Sequence, residues 1–254
     1  MLTLIGLGLR DGNDITLRGL DAVKRAAAVY IEGYTSLLQC SHQTLEAQLG
    51  RDVVKLTRDD VETGIDAVLT RAKTEDIAIL VVGDVFGATT HTDLYLRAAQ
   101  AGVHIEVVHN ASVMNAIGIV GLELYRYGKT VSVPYWSPGF EPTSYLDGIR
   151  DNKALGLHTL CLLDIKADEG RFMSVSEGLA LLLAAEERKR YGALAHDALV
   201  IGVARIGCAD MIIQPGPLSD VANMDFGAPP HCIIIPGRLH QVEEDMLAHW
   251  MKTK

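Results

Sequence analysis

The run Ile77–Val82, reading IAILVV, is apolar without interruption and is stopped at once by Gly83. It is too short for a helix of ordinary length and lacks the alternation of a strand with one wet face. It therefore predicts a strand covered on both sides, as in a parallel sheet flanked by helices. The rest of the first half repeats the theme. Leu2–Leu7, Ala28–Ile31, Val53–Leu56 and His104–Val108 read as further short strands. Between them Thr16–Ala27 places Leu17, Leu20, Val23 and Ala27 at helical spacing, with Thr16 or Asp14 as N-cap after a turn at Gly12. Leu37–Leu49, Asp59–Ala72 and Thr92–Ala101 read as helices too. Strands alternating with helices imply an α/β chain with a largely parallel sheet.

The texture changes near Asn110. Asn110–Leu124 is rich in Ala, Gly and Met, and Pro134–Pro142 holds three prolines, so the latter is expected to be irregular. Beyond it, Thr159–Leu163, Ala198–Ala204 and His231–Ile235 read as strands and Ser176–Arg190 as a long amphipathic helix. We therefore expect an N-terminal α/β domain over residues 1–110 and a C-terminal α/β domain over residues 111–254. No internal repeat of solenoid or propeller period is present.

Charge and cysteine usage narrow the function. The 254 residues carry a formal net charge of −9, from 23 Lys plus Arg against 32 Asp plus Glu, which disfavours a nucleic-acid binder that works by neutralising phosphates. Cys40, Cys161, Cys208 and Cys232 form no CxxC pair and have no histidines at metal-ligand spacing, so we expect reduced thiols in a cytoplasmic protein and no metal. The N-terminal apolar stretch lacks a basic flank and is broken by Gly6, Gly8 and Arg10. No segment reaches the length of a membrane span, so neither secretion nor membrane insertion is expected.

Polar and small residues collect where strands end. GLGL at Gly6–Leu9 follows the first strand, but with Asp11 at the third glycine position it is not a dinucleotide fingerprint; a tight turn explains it equally. GDVFGATTHTD, Gly83–Asp93, lies at the carboxyl edge of the Ile77–Val82 strand, where open parallel sheets bind ligands. There Asp84 either receives hydrogen bonds from a ribose or holds an ammonium, or it merely shapes a turn, with Thr89–Asp93 capping the next helix. HNASVMNAIG, His109–Gly118, offers Ser112 as a polar contact or as an N-cap, and His109 as a base or as a histidine hydrogen-bonded at a strand end. LCLLDIK at Leu160–Lys166 and APPHCIIIPGRLH at Ala228–His240 are strands with polar ends. No GxSxG elbow, HExxH pair or phosphate loop is present.

Taken in order, MLTLIGLGL, EGYTS at Glu32–Ser36, VVGDVFGATTHTDL at Val81–Leu94, HNAS at His109–Ser112, GLHTLCLLDIK at Gly156–Lys166 and PPHCIIIPGRLH at Pro229–His240 resemble, end to end, the diphthine synthases. These are diphthamide-pathway methyltransferases of the tetrapyrrole-methylase type. The family loop usually has proline where Val85 stands, and its ARAG stretch is here Ala204, Arg205, Ile206, Gly207. The resemblance implies two α/β domains with S-adenosylmethionine in the cleft between them, S-adenosylhomocysteine as product, and usually a homodimer. It implies donor contacts from Leu9, Asp84, Gly87, Ser112, Val113, Leu163, a position within Ala204 to Ile206, and His231. It also implies a protein substrate, translation elongation factor 2, whose 3-amino-3-carboxypropyl-histidine is trimethylated on the amine to diphthine, with esterification of the carboxylate in eukaryotic relatives. Neither nucleic acid nor membrane is an expected partner.

An α-type amine has a pKa near 8, so about a tenth of it is neutral at pH 7 and no strong base is required. We therefore expect no indispensable catalytic base, with Thr89, Thr90, His91 and His109 orienting the substrate. Tyr135, Trp136 and Phe140 are expected either to contact the factor or a quaternary ammonium, or to pack in a dimer interface or surface loop. The alternatives are a methylase of the same type acting on a tetrapyrrole or ribosomal RNA, and a ligand-binding module without catalysis.

Overall fold

The computed structural model describes residues 1–34, 36–89 and 91–252. In chain order the elements are β1 (Leu2–Gly6), α1 (Leu17–Arg25), β2 (Ala28–Glu32), α2 (His42–Leu49), β3 (Val54–Leu56), α3 (Arg58–Glu62), α4 (Asp66–Ala72), β4 (Ile77–Val81), α5 (His91–Gln100), β5 (Ile105–Val108), α6 (Val113–Ala116), β6 (Val131–Val133), α7 (Ser144–Ala154), β7 (Thr159–Leu163), β8 (Ile165–Lys166), β9 (Arg171–Phe172), α8 (Val175–Lys189), β10 (Leu199–Ala204), β11 (Ile212–Pro217), α9 (Leu218–Val221), β12 (His231–Ile235) and α10 (Gln241–Lys252), with short 3-10 turns between some of them. They fall into two compact units, residues 1–116 with 166–170, and residues 117–165 with 171–254.

The first unit is built on a parallel sheet in the order β3-β2-β4-β1-β5. Successive side chains of a strand point to opposite faces, so both residues of each apolar pair find a core. Leu2, Leu4, Ile77 and Ile79 pack with Val61, Leu69, Leu94 and Ala98 on one face. Ile5, Leu7, Ala78 and Leu80 pack with Ala22, Val23, Leu45 and Leu49 on the other. The helices covering this sheet begin where their caps dictate. Thr16 Oγ1 accepts from Gly19 N–H at 3.0 Å and starts α1.

Two helices differ from the expected spans. α2 starts at His42 rather than Leu37, because Ser41 Oγ takes the Thr44 N–H at 3.1 Å while Gln39 N–H is drawn away to Arg10 O at 2.8 Å. The segment Asp59–Ala72 is two helices. A capping box between Thr57 and Asp60 begins α3, and Thr63 and Gly64 both donate to Asp59 O at 2.9 Å, which stops it before α4.

The second unit holds a mixed sheet, β11-β10-β12-β7-β6, in which only the β6–β7 pair is parallel. Tyr145, Leu146 and Ile149 of α7 and Leu179, Leu182 and Ala185 of α8 pack with Val133, Cys161, Leu163, Val200, Ala204 and Ile233 of the sheet in one core. Gly148 lets α7 approach β6: a Cβ there would sit 2.7 Å from Val131 Cγ1. Cys161 and Cys232 are buried thiols, and burial pushes Cys232 up to about 12. No described helix is long and apolar enough to cross a membrane.

α10 is tied down by Glu243, which is fully buried. Its carboxylate accepts from Arg126 at 2.5 Å, from His158 Nε2 at 3.0 Å, and from the N–H groups of Glu123 and His240 at 3.2 Å each. Gly237 N–H donates to His158 Nδ1 at 3.0 Å, so Nε2 carries the hydrogen, and burial keeps this imidazole below its ordinary pKa and neutral. Burial raises the Glu243 pKa, but the hydrogen bonds outweigh it and the carboxyl stays below 4.5.

Candidate donor site

At the carboxyl edge of the first sheet, three loops are bound to one another by main-chain and carboxylate hydrogen bonds. Gly8 N–H donates to Gly83 O at 3.1 Å and Gly83 N–H to Gly8 O at 2.8 Å, which joins the loop after β1 to the loop after β4. Both glycines have positive φ, +84° and +83°, a conformation that L side chains rarely adopt. Asn110, after β5, closes the set: its Nδ2 donates to Gly6 O and to Asp14 O, each at 2.9 Å. Asp14 Oδ2 in turn accepts from Leu9 N–H at 3.1 Å and Arg10 N–H at 2.8 Å.

Asp84 sits at the centre of these loops. Its Oδ1 accepts from Phe86 N–H at 3.0 Å, and its Oδ2 accepts from His109 Nδ1 at 2.9 Å and Asn110 N–H at 3.0 Å. Burial raises its pKa, but the Asn110, Phe86 and His109 hydrogen bonds outweigh that and hold the carboxyl below its ordinary 3.8. An ionised carboxylate only accepts, so the hydrogen of the His109 pair lies on Nδ1. Three of the four lone-pair directions of Asp84 are thus spent inside the protein, the Phe86 bond shaping the turn, and one direction is left for a ligand.

Gly87 and Ser112 meet across the same edge. A Cβ at Gly87 would stand 2.7 Å from Ser112 Oγ and 2.9 Å from its Cβ, so any side chain there would fill the space between the two loops. Ser112 is buried and caps α6: its hydroxyl accepts from Met114 N–H at 3.3 Å, and Asn115 Oδ1 accepts from Ser112 N–H at 2.8 Å. Val113 follows as the first residue of α6. Of the residues expected to orient a substrate, Thr90 lies outside the described residues. Thr89 Oγ1 donates to Val85 O at 2.6 Å, and buried His91 spends Nδ1 on the same carbonyl at 3.1 Å, leaving Nε2 buried without a partner. Those two side chains brace their own loop.

In the second unit, the remaining expected residues also share an edge. Ala204 pairs with His231, and Cys232 pairs with Leu162, which sets Leu163, His231 and Ala204 side by side at the ends of β7, β12 and β10. Arg205, with φ +49°, turns the chain just past Ala204 and is held by Asp210 Oδ2 at 2.6 Å and by the Phe226 and Ala228 carbonyls. Ile206 is buried beside this turn. His231 Nε2 donates to Ala228 O at 3.0 Å, while Nδ1 is buried with no hydrogen-bond partner among the described residues. Burial depresses the His231 pKa, so Nδ1 is a bare acceptor. A cavity of about 470 Å³ opens next to it, lined by Ser174–Ser176, Ala222–Gly227 and His231.

Each edge, taken by itself, offers groups that suit part of a nucleoside-bearing donor. Glycine loops admit close main-chain approach on the first edge, and on the second an orphaned acceptor matches an N–H such as that of an adenine amine. A metal fits less well. Glu123, His240 and Glu243 bring ligand atoms within 4.8 Å of one another, but the Glu243 oxygens already receive four donors, one of them cationic Arg126.

The aromatic stretch Tyr135–Pro142 is irregular, as its prolines imply. Two of its rings are covered by the chain's own cations: Arg171 lies 4.1 Å from the Tyr135 centroid and Arg188 lies 4.3 Å from that of Trp136, and both rings pack against the core, whereas Phe140 is exposed. Tyr135 N–H is bound to Asp164 Oδ2 at 3.0 Å and Trp136 Nε1 to Pro142 O at 3.1 Å.

The family model of the tetrapyrrole (corrin/porphyrin) methylases matches residues 1–222. The chain is 45% identical to a diphthine methyl ester synthase of Aspergillus fumigatus, over 96% of this chain and 91% of that one. It is 42% identical to the diphthine methyl ester synthase of Homo sapiens, over 98% and 94%. The crystal structure of a candidate diphthine synthase from Entamoeba histolytica superposes with a TM-score of 0.92 at 45% identity, covering 98% of both chains.

Proposed function

Because the chain belongs to the tetrapyrrole methylases, we propose that it transfers methyl groups from S-adenosylmethionine to the 3-amino-3-carboxypropyl-histidine of elongation factor 2, three onto the amine and one more onto the carboxylate. It is a methyltransferase of diphthamide biosynthesis. The observation that carries this is identity of 42–45% with diphthine methyl ester synthases over nearly the whole of both chains. The methyl ester as end point follows the names of those relatives.

The donor supplies a methyl group already activated by sulfonium charge, so the chain's task is to align the reactants, an effect worth up to roughly 7–11 kcal/mol. We assign donor contacts to Leu9, Asp84, Gly87, Ser112 and Val113 of the first unit and to Leu163, Ala204, Ile206 and His231 of the second. Asp84 acts mainly by holding three loops in register, and the glycines by admitting the ligand to main-chain edges. No side chain is assigned as an obligatory base. Elongation factor 2 is the protein partner, and the working form is taken as a cytoplasmic homodimer.

Incubating the protein with radiolabelled donor and unmethylated, amino-carboxypropylated factor tests the assignment. Label on the factor at a single histidine, part of it released by mild alkali as an ester, is expected. Label on a tetrapyrrole or ribosomal RNA instead, or none at all, overturns it.

A further inference from the structure

We propose that the Phe86, Tyr95 and His109 rings, the last of them hydrogen-bonded to Asp84, form a binding site for a methylated ammonium and hold the substrate's amine between successive methyl transfers. The inference rests on the amine substrate proposed above and adds the surface that retains it. Phe86 and Tyr95 are each 38% exposed, and the His109 side chain is 68% exposed. Phe86 meets Tyr95 edge-on, with centroids 6.3 Å apart and planes at 66°, and meets His109 at 6.2 Å and 56°. Inclined rings at these spacings make walls rather than a stack. A cation is attracted to a ring within about 6 Å of its centroid, so one ammonium seated on Phe86 is within reach of a neighbouring ring as well.

The walls are fixed in place. Asp84 accepts the Phe86 N–H through Oδ1 and the His109 Nδ1–H through Oδ2, and Tyr95 stands on α5. The ionised Asp84 carboxylate, bound to the His109 wall, adds negative charge near the site. At four other rings the chain supplies the cation itself: Arg58 lies over Tyr34, Arg171 over Tyr135, Arg188 over Trp136, and Arg150 with Lys189 over Tyr191. Among the described residues, no lysine or arginine lies over Phe86 or Tyr95. Each added methyl weakens the hydration of the ammonium and strengthens its attraction to aromatic faces, so the site grips intermediates more firmly as methylation proceeds.

The test is titration of the intact protein with choline and with its neutral isostere 3,3-dimethylbutan-1-ol, followed through the ring resonances of Phe86, Tyr95 and His109. Saturable shifts with choline, binding about tenfold tighter than the isostere and weakened about tenfold by Phe86→Leu, are expected. Equal binding of the two probes, or choline that moves none of these resonances, overturns the proposal. Should Phe86→Leu fail to fold, Tyr95→Leu and the two-probe comparison on the unsubstituted protein decide it. In turnover, Phe86→Leu is expected to release mono- and dimethylated factor; an unchanged product distribution overturns the retaining role. The probe titration contains neither donor nor factor, so its failure is distinguishable from failure of the methyl-transfer assignment.

Discussion

Asp84 holds three loops together through one carboxylate. Its carboxyl is held below the ordinary value, so it binds a proton more readily in the unfolded chain. The stability it contributes is present above about pH 3.8 and is lost as pH falls through its folded value. Asp84→Asn is therefore expected to cost about 1–3 kcal/mol in denaturant unfolding at neutral pH, with a flatter loss of stability under acid than the parent shows, and to weaken donor binding at least about tenfold. Asp84, Gly87 and Ser112 are proposed as donor contacts from the sequence, because strand ends in an open sheet collect ligand residues and the quoted motifs resemble a known family; the structure brings the three to one edge. Asn110 was not singled out for its bridging role: its amide joins Gly6 and Asp14, which lie 104 and 96 residues away, and no local pattern encodes a contact of that span. The open faces of Phe86 and Tyr95 were equally invisible, since nothing in the chain order tells which aromatic rings are already covered by arginine.

At the level of elements, the loops after β1 and β4 depend on backbone conformation. Gly50, with φ +66° at the end of α2, has nothing near its would-be Cβ, so Gly50→Ala is expected to cost only the left-handed penalty of about 1–2 kcal/mol. Gly8→Ala adds a contact of 2.6 Å with Asp14 Cβ, and is expected to cost more and to abolish donor binding, as paired thermal melts with and without S-adenosylhomocysteine would show. α10 depends on Glu243: Glu243→Ala leaves Arg126 and His158 without their buried acceptor and is expected to cost about 3–5 kcal/mol, measured by denaturant titration. The apolar run of β4, and that of β1 broken only by buried Thr3, were legible because each residue is buried on one face or the other. β11 was not, because Ile212–Pro217 contains two prolines and a glycine; nor was α7, whose Gly148 and charged residues blur its apolar stripe.

At the scale of the molecule, each unit presents one sheet edge that carries proposed donor contacts. The first offers main-chain groups ordered by Asp84 and Asn110; the second offers Leu163, Ala204 and His231 in adjacent registers, with an unpartnered Nδ1. The N-terminal α/β pattern was readable because parallel strands are separated by helices. The mixed sheet of the second unit pairs strands far apart in sequence, β7 with β12 and β12 with β10, and its order follows from no local rule. The most direct measurement is calorimetric titration of the protein with S-adenosylhomocysteine, run in parallel on Gly87→Val, which fills the space at Ser112, and on His231→Ala. Saturable binding by the parent, lost in Gly87→Val and weakened about tenfold in His231→Ala, is the result expected. No heat with the parent, or full affinity retained in both variants, would contradict it.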